Sequence, residues 1–142
     1  MRIVVRFADP LAIEGPLPGR RILHVASGEF EGPDLRGEVL PGGGDWVLGR
    51  GDGSAELDIR FALRTALNEI LYLRSTGLFV APAAVLARLR GGEDVSPDDY
   101  YFRTSVLFEA AGARLSHLNQ ALHVGAGQRT PSGMITNLFA IS

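Results

Sequence analysis

Two short runs hold the residues best suited to chemistry. In "GGGDW", Gly42 to Trp46, three glycines deliver an aspartate and an indole; glycine takes positive φ without steric cost, so the run marks a tight turn that sets Asp45 and Trp46 at a rim. In "ELDIRFALR", Asp58 and Arg60 alternate with Leu57, Ile59, Phe61 and Leu63, a strand with one polar and one apolar face. Tyr72, Arg103 and His117 stand in separate later segments that a barrel can bring to one mouth. These types suit general acid/base or electrostatic work. An aspartate beside arginine stays ionised and orients a ligand hydroxyl, whereas one buried in an apolar pocket has its pKa raised and exchanges protons near neutrality. His117 is the natural proton shuttle. Trp46, Tyr101 and Phe102 suit the wall of a site for a flat aromatic or polycyclic ligand.

Other chemistries find less support. His24, His117 and His123 lack the i, i+2 or i, i+4 spacing that puts two ligands on one face, so no metal site is expected. There is no G-x-S-x-G elbow and no cysteine, which leaves no activated nucleophile. "GGGDW" and "GAGQR" could cradle an anion through backbone N–H groups, but neither opens a helix, so no dinucleotide or other cofactor is implied. The net charge is −2 and all 14 basic residues are dispersed arginines, which argues against a nucleic-acid partner. The N-terminal "MRIVVRF" is too short for a signal segment, and no apolar run reaches the roughly 20 residues of a membrane span. The reading is a cytoplasmic protein with no membrane partner.

Such residues need a frame. At 142 residues the chain is expected to form one domain, residues 1–142. Its 18 glycines fall mostly between short β-rich runs, the punctuation of an antiparallel sheet. Strands are expected over Arg2–Phe7, Arg21–Ala26, Leu35–Leu40, Asp45–Leu48, Ala55–Arg64, Glu69–Ser75, Tyr100–Glu109, Ala121–Val124 and Met134–Ile141. Asp52-Gly53 marks a hairpin. One helix is expected in "APAAVLARLRGG", with Pro82 first and Gly91 just past its end, and a helical turn follows Ser96-Pro97. About nine strands and one helix argue for a closed barrel or a sandwich, since closure removes sheet edges.

The blocks "GEFEGPDLRGEVLPGGGDW", "DGSAELDIRFALRT", "ILYLRSTG", "YYFRTSVLFE" and "HLNQALHVGAGQR" resemble, in that order, those of domain-of-unknown-function family 3237, also called uncharacterised protein family 0311. The resemblance implies a calycin-like antiparallel β-barrel, mainly β, of about 8–9 strands with one short α-helix. It matches Gly32, Pro33, Gly37, Pro41, Gly42, Asp45, Trp46, Asp58, Arg60, Tyr72, Gly77, Tyr100 to Thr104, Asn119, Gly125 and Gly127. It departs at "ALNE", Ala66 to Glu69, where the family usually has an Asp-Gly hairpin, at Phe61, where tyrosine is common, and at His117, where an aromatic such as tryptophan is usual.

The functional expectation is a small-molecule-binding barrel, a cofactor-independent isomerase, cyclase or lyase acting on an aromatic or polyketide-like metabolite. Asp58, Arg60, Tyr72, Asp45 and His117 are its catalytic candidates, and Trp46, Tyr101, Phe102, Arg103 and Asn119 its substrate contacts. Alternation alone reads Asp58 with Arg60 as a solvated surface or a structural ion pair; because the family resemblance preserves both, they are expected to face the lumen. The apolar face of Leu57, Ile59, Phe61 and Leu63 then needs cover, which points to a homodimer. The alternative is a non-catalytic binding or assembly module.

Overall fold

The computed structural model describes residues 1–17 and 19–142. Ten strands form one antiparallel sheet: β1 (Arg2–Phe7), β2 (Leu11–Ile13), β3 (Arg20–Glu31), β4 (Arg36–Val39), β5 (Gly44–Gly49), β6 (Ala55–Thr65), β7 (Ile70–Val80), β8 (Tyr101–Ala110), β9 (Leu122–Thr130) and β10 (Gly133–Ile141). The wall runs from β1 through β10, β9, β8, β7 and β6 to β3, and β3 pairs back onto β1. Two places in the wall are shared. β4 and β5 both bridge β3 and β6, at opposite ends of those long strands, and β1 and β2 both lie along β3. The result is a closed eight-strand antiparallel barrel with two extra strands. Among the described residues there is a single α-helix, α1 (Ala83–Arg90), which follows β7.

Period-two alternation fills the interior. Leu57, Ile59, Phe61 and Leu63 of β6 are buried with Leu71 and Leu73 of β7, Val106 and Phe108 of β8 and Leu138 of β10. Each such side chain contributes about 2 kcal/mol by leaving water. The 3-10 turn Ser116–Gln120 closes this end of the barrel with buried Leu118, next to buried Leu115.

The inner face of β6 is therefore the apolar one, opposite to the expectation that Asp58 and Arg60 face the lumen. Arg60 Nε donates to Asp58 Oδ1 at 3.1 Å on the outer surface, where both side chains are substantially exposed. The cause is volume: the lumen of an eight-strand barrel is narrow, and along most of β6 large hydrophobes fill it where two charges would remain unsatisfied. The same fact removes the reason first given for a dimer, because Leu57 to Leu63 are covered from within.

Several boundaries also differ. β2 and the 3-10 turn at Ser116 had no clear pattern, β7 continues to Val80 and β9 to Thr130, and α1 begins one residue after Pro82. The departure at "ALNE" keeps its hairpin: Asn68 takes φ +65°, the role glycine would fill, and the Glu69 N–H donates to Thr65 Oγ1 at 3.1 Å.

Candidate functional site

The opposite end of the barrel is hollow. A cavity of about 460 Å³ opens there, within the range of small-molecule sites. Its apolar wall includes Leu23, Val47, Leu57, Phe79, Phe102 and Met134, and Leu86 of α1 lies over the mouth. Its charged lining is Asp45 with Arg21, Arg50, Arg90 and Arg129.

Asp45 reaches this cavity because of the triple glycine. Gly42 takes φ +104°, and Gly43 lies so close to β6 that a Cβ there would stand 2.3 Å from the Arg60 carbonyl oxygen. The Val25 N–H donates to Gly43 O at 2.8 Å, fixing the approach to β3. β5 then starts with Gly44, and its next residue, Asp45, pairs with Leu23 and Ile59 and turns inward. Only 4% of Asp45 is exposed. One carboxylate oxygen accepts the Asp58 backbone N–H at 3.2 Å. Burial pushes the carboxyl up to about 7, against the opposing pull of that N–H and of the Arg129 and Arg21 charges.

The arginines are the unanticipated part. The ion-paired arginines among the described residues are Arg6, Arg50, Arg60, Arg64, Arg88 and Arg114; Arg21, Arg90 and Arg129 are not among them. Arg129 stands over the Phe79 ring, its guanidinium carbon 5.6 Å from the centroid. Its backbone N–H donates to the Tyr100 hydroxyl at 2.8 Å, which anchors the end of β9. Burial, together with the positive Arg21, weakens the hold of Arg129 on its proton. The signal for Arg129 was present in "HVGAGQR". His123, Gly125, Gly127 and Arg129 share one face of β9, and the two glycines let Thr104 and the Phe102 ring pack against the strand where their side chains would be. "GAGQR" is strand, so it brings a guanidinium to the site and forms no cradle of N–H groups. Arg21 alternates with Leu23 on β3 in the same way.

Of the ten residues singled out in the sequence, Asp45 and Phe102 line the cavity. The structure does not bring the others there. Asp58, Arg60 and Tyr72 lie on the outer face, Tyr72 close enough to Arg60 to favour its charged form. Trp46 lies in a shallow outer groove with Arg20, which donates to its carbonyl at 2.9 Å. Tyr101 and Arg103 are exposed, the guanidinium 5.5 Å from the ring centroid. His117 is exposed on the 3-10 turn. Asn119 closes a backbone gap, accepting the Ala110 N–H at 2.7 Å and donating to Ala110 O at 2.8 Å. No cluster of three or more His, Cys, Asp or Glu side chains suited to a metal ion occurs among the described residues, and no helix there is long and apolar enough to cross a membrane.

Comparison with known proteins agrees with this architecture. The family described as "Protein of unknown function (DUF3237)" matches residues 1–141. A UPF0311 protein of Clostridium acetobutylicum is 30% identical over 142 residues, 99% of this chain and 90% of its own. The crystal structure of a conserved protein of unknown function from Rhodopseudomonas palustris, 30% identical, superimposes with a TM-score of 0.92 over 99% of this chain and 93% of that one. An enzyme from Penicillium herquei shares the fold, with a TM-score of 0.72 at 12% identity over 99% of this chain and 90% of its own.

Proposed function

We propose, from the premise that this chain belongs to the DUF3237 family, that it binds a small aromatic or polyketide-like metabolite in the open end of the barrel and acts on it as a cofactor-independent isomerase, cyclase or lyase. The observation that carries the reading is the position of the Asp45 carboxyl, 4% exposed in the wall of a cavity of small-molecule size, where burial raises its pKa to about 7. A carboxyl balanced between its two forms takes and returns a proton near neutral pH. Its carboxylate removes a proton from a carbon beside a substrate carbonyl, and the electron pair moves onto the carbonyl oxygen. The positive field of Arg21 and Arg129 favours that enolate. Return of the proton to a different carbon gives an isomer, expulsion of a β-substituent gives elimination, and attack on a second carbonyl gives a ring. That a barrel of this fold in Penicillium herquei is an enzyme makes the scaffold compatible with catalysis.

The test is proton exchange on a simple carbon acid. In deuterium oxide, the protein is expected to accelerate deuteration beside the carbonyl of 2-tetralone, followed by proton NMR, and Asp45→Asn is expected to lower that acceleration by about 100-fold or more. Equal exchange by the two proteins would remove Asp45 from the reaction.

One observation favours self-association as well. Leu122, Val124, Phe139 and Ile141 are exposed on the outer wall, Phe139 opposite Val124 and Ile141 opposite Leu122, with exposed Leu107 on β8. A second copy covering this strip would make the homodimer, on different residues from those of β6. The cytoplasmic assignment stays part of the proposal.

A further inference from the structure

The barrel cavity concentrates positive charge in a protein that is acidic overall. Four of its lining side chains are arginines and one is an aspartate, while the chain as a whole carries −2. Arg50 is accounted for locally, since its Nε donates to Ser54 Oγ at 2.7 Å and its guanidinium lies 3.9 Å from the Asp52 carboxylate. Arg21, Arg90 and Arg129 have no carboxylate partner within ion-pairing distance among the described residues. A cation taken out of water without a partner is costly, and the Phe79 ring beneath Arg129 offsets only part of that cost. One developing enolate would need one such cation, yet Arg21 and Arg129 converge on the same apolar chamber and Arg90 stands at its mouth on α1.

We infer that the cavity is built for an organic anion, a flat apolar molecule bearing a carboxylate, whose charge is held between Arg21 and Arg129 and whose body lies against Leu23, Val47, Phe79 and Phe102. The inference rests on the pocket reading above and names the substrate class for it. Guanidinium is the side chain whose planar fork fits a carboxylate through two parallel hydrogen bonds, and in a low-dielectric chamber such a bond is strong. Arg90, exposed beside the entrance, adds to a field that draws anions in. With the charge of the bound acid held by the two guanidiniums, Asp45 is the lining carboxyl left to exchange a proton with the substrate's body.

The probes are 2-naphthoate and its neutral counterpart 2-naphthamide, titrated by calorimetry and by aromatic proton NMR. The inference requires naphthoate to bind at least about tenfold more tightly than the amide, a difference that weakens with added salt. In Arg129→Gln and Arg21→Gln that preference is expected to shrink while the amide's affinity stays the same, which also shows that the variants are folded. Amide binding equal to naphthoate, with shifts in the Phe79 and Phe102 resonances, overturns the anion assignment and leaves the pocket reading standing. A naphthoate preference that survives both arginine variants also overturns it. Absence of binding by either probe overturns the assignment and the pocket reading together, whereas loss of 2-tetralone exchange alone would touch only the role of Asp45.

Discussion

Asp45 accepts the backbone N–H of Asp58 at 3.2 Å across the β5–β6 pairing, yet the two carboxyl groups lie on opposite sides of the barrel wall. One is enclosed among apolar side chains beside unpaired arginines, and the other lies on the surface against Arg60. Two aspartates whose backbones touch thus meet opposite environments, and only the inner one can work on an enclosed ligand. Asp58→Asn is accordingly expected to leave 2-tetralone deuteration unchanged and to move the melting temperature by no more than about 3 °C, since exposed ion pairs contribute little. Thermal melts and exchange rates on the same preparation check it.

The buried carboxyl also makes stability depend on pH. Asp45 has a folded-state pKa of about 7 against an ordinary 3.8, so between those values the folded chain holds a proton that the unfolded chain has released. Its contribution is complete below the lower value and lost as pH rises through the upper one, a fall of up to about 4 kcal/mol. His123 works with the other sign: burial lowers its pKa, so its cost appears as pH falls below the usual histidine range. Urea denaturation at a series of pH values is expected to show the Asp45 slope in the native sequence and its loss in Asp45→Asn, which should be the more stable protein above neutrality.

Gly43 sets the position of Asp45 by close approach. A methyl group there would meet the Arg60 carbonyl oxygen at 2.3 Å and Phe61 Cβ at 2.6 Å, both on the rigid strand β6. Gly43→Ala is expected to cost about 1–3 kcal/mol and to displace Asp45, lowering exchange activity per folded molecule. Gly32→Ala, between β3 and β4 and outside the cavity lining, where an added methyl would make only ordinary contacts of 3.5–3.6 Å, is the control expected to change neither.

If the outer strip of Leu107, Leu122, Val124, Phe139 and Ile141 forms the dimer contact, Phe139→Asp will give a monomer that melts cooperatively and keeps 2-tetralone exchange. Light scattering at micromolar concentration checks it. A monomer in the native sequence would leave the strip without that role.

The fold was more legible than the site, for a physical reason. Alternation in "ELDIRFALR" reveals two faces but is symmetric with respect to which one is inside. The decision belongs to the whole barrel, whose narrow lumen takes Leu57, Ile59, Phe61 and Leu63 and turns Asp58 and Arg60 out. Asp45 could be found from its neighbours because three glycines before an aspartate specify backbone geometry locally. Arg21 and Arg129 could not, since each is one arginine among fourteen and gains meaning only when β3 and β9 reach the same chamber. The chemistry of Tyr72, Arg103 and His117 suits such a site, but the register of their elements sends them elsewhere.

The central claim is that Asp45 keeps its proton up to neutrality inside the cavity, and carbon-13 NMR of the aspartate side-chain carboxyls, titrated with pH and assigned by the resonance missing from Asp45→Asn, tests it most directly. The account predicts a midpoint for Asp45 near 7, far above an ordinary surface aspartate. A midpoint at or below about 4.5 would contradict it, because the carboxyl would then be ionised throughout the neutral range and would hold no proton there.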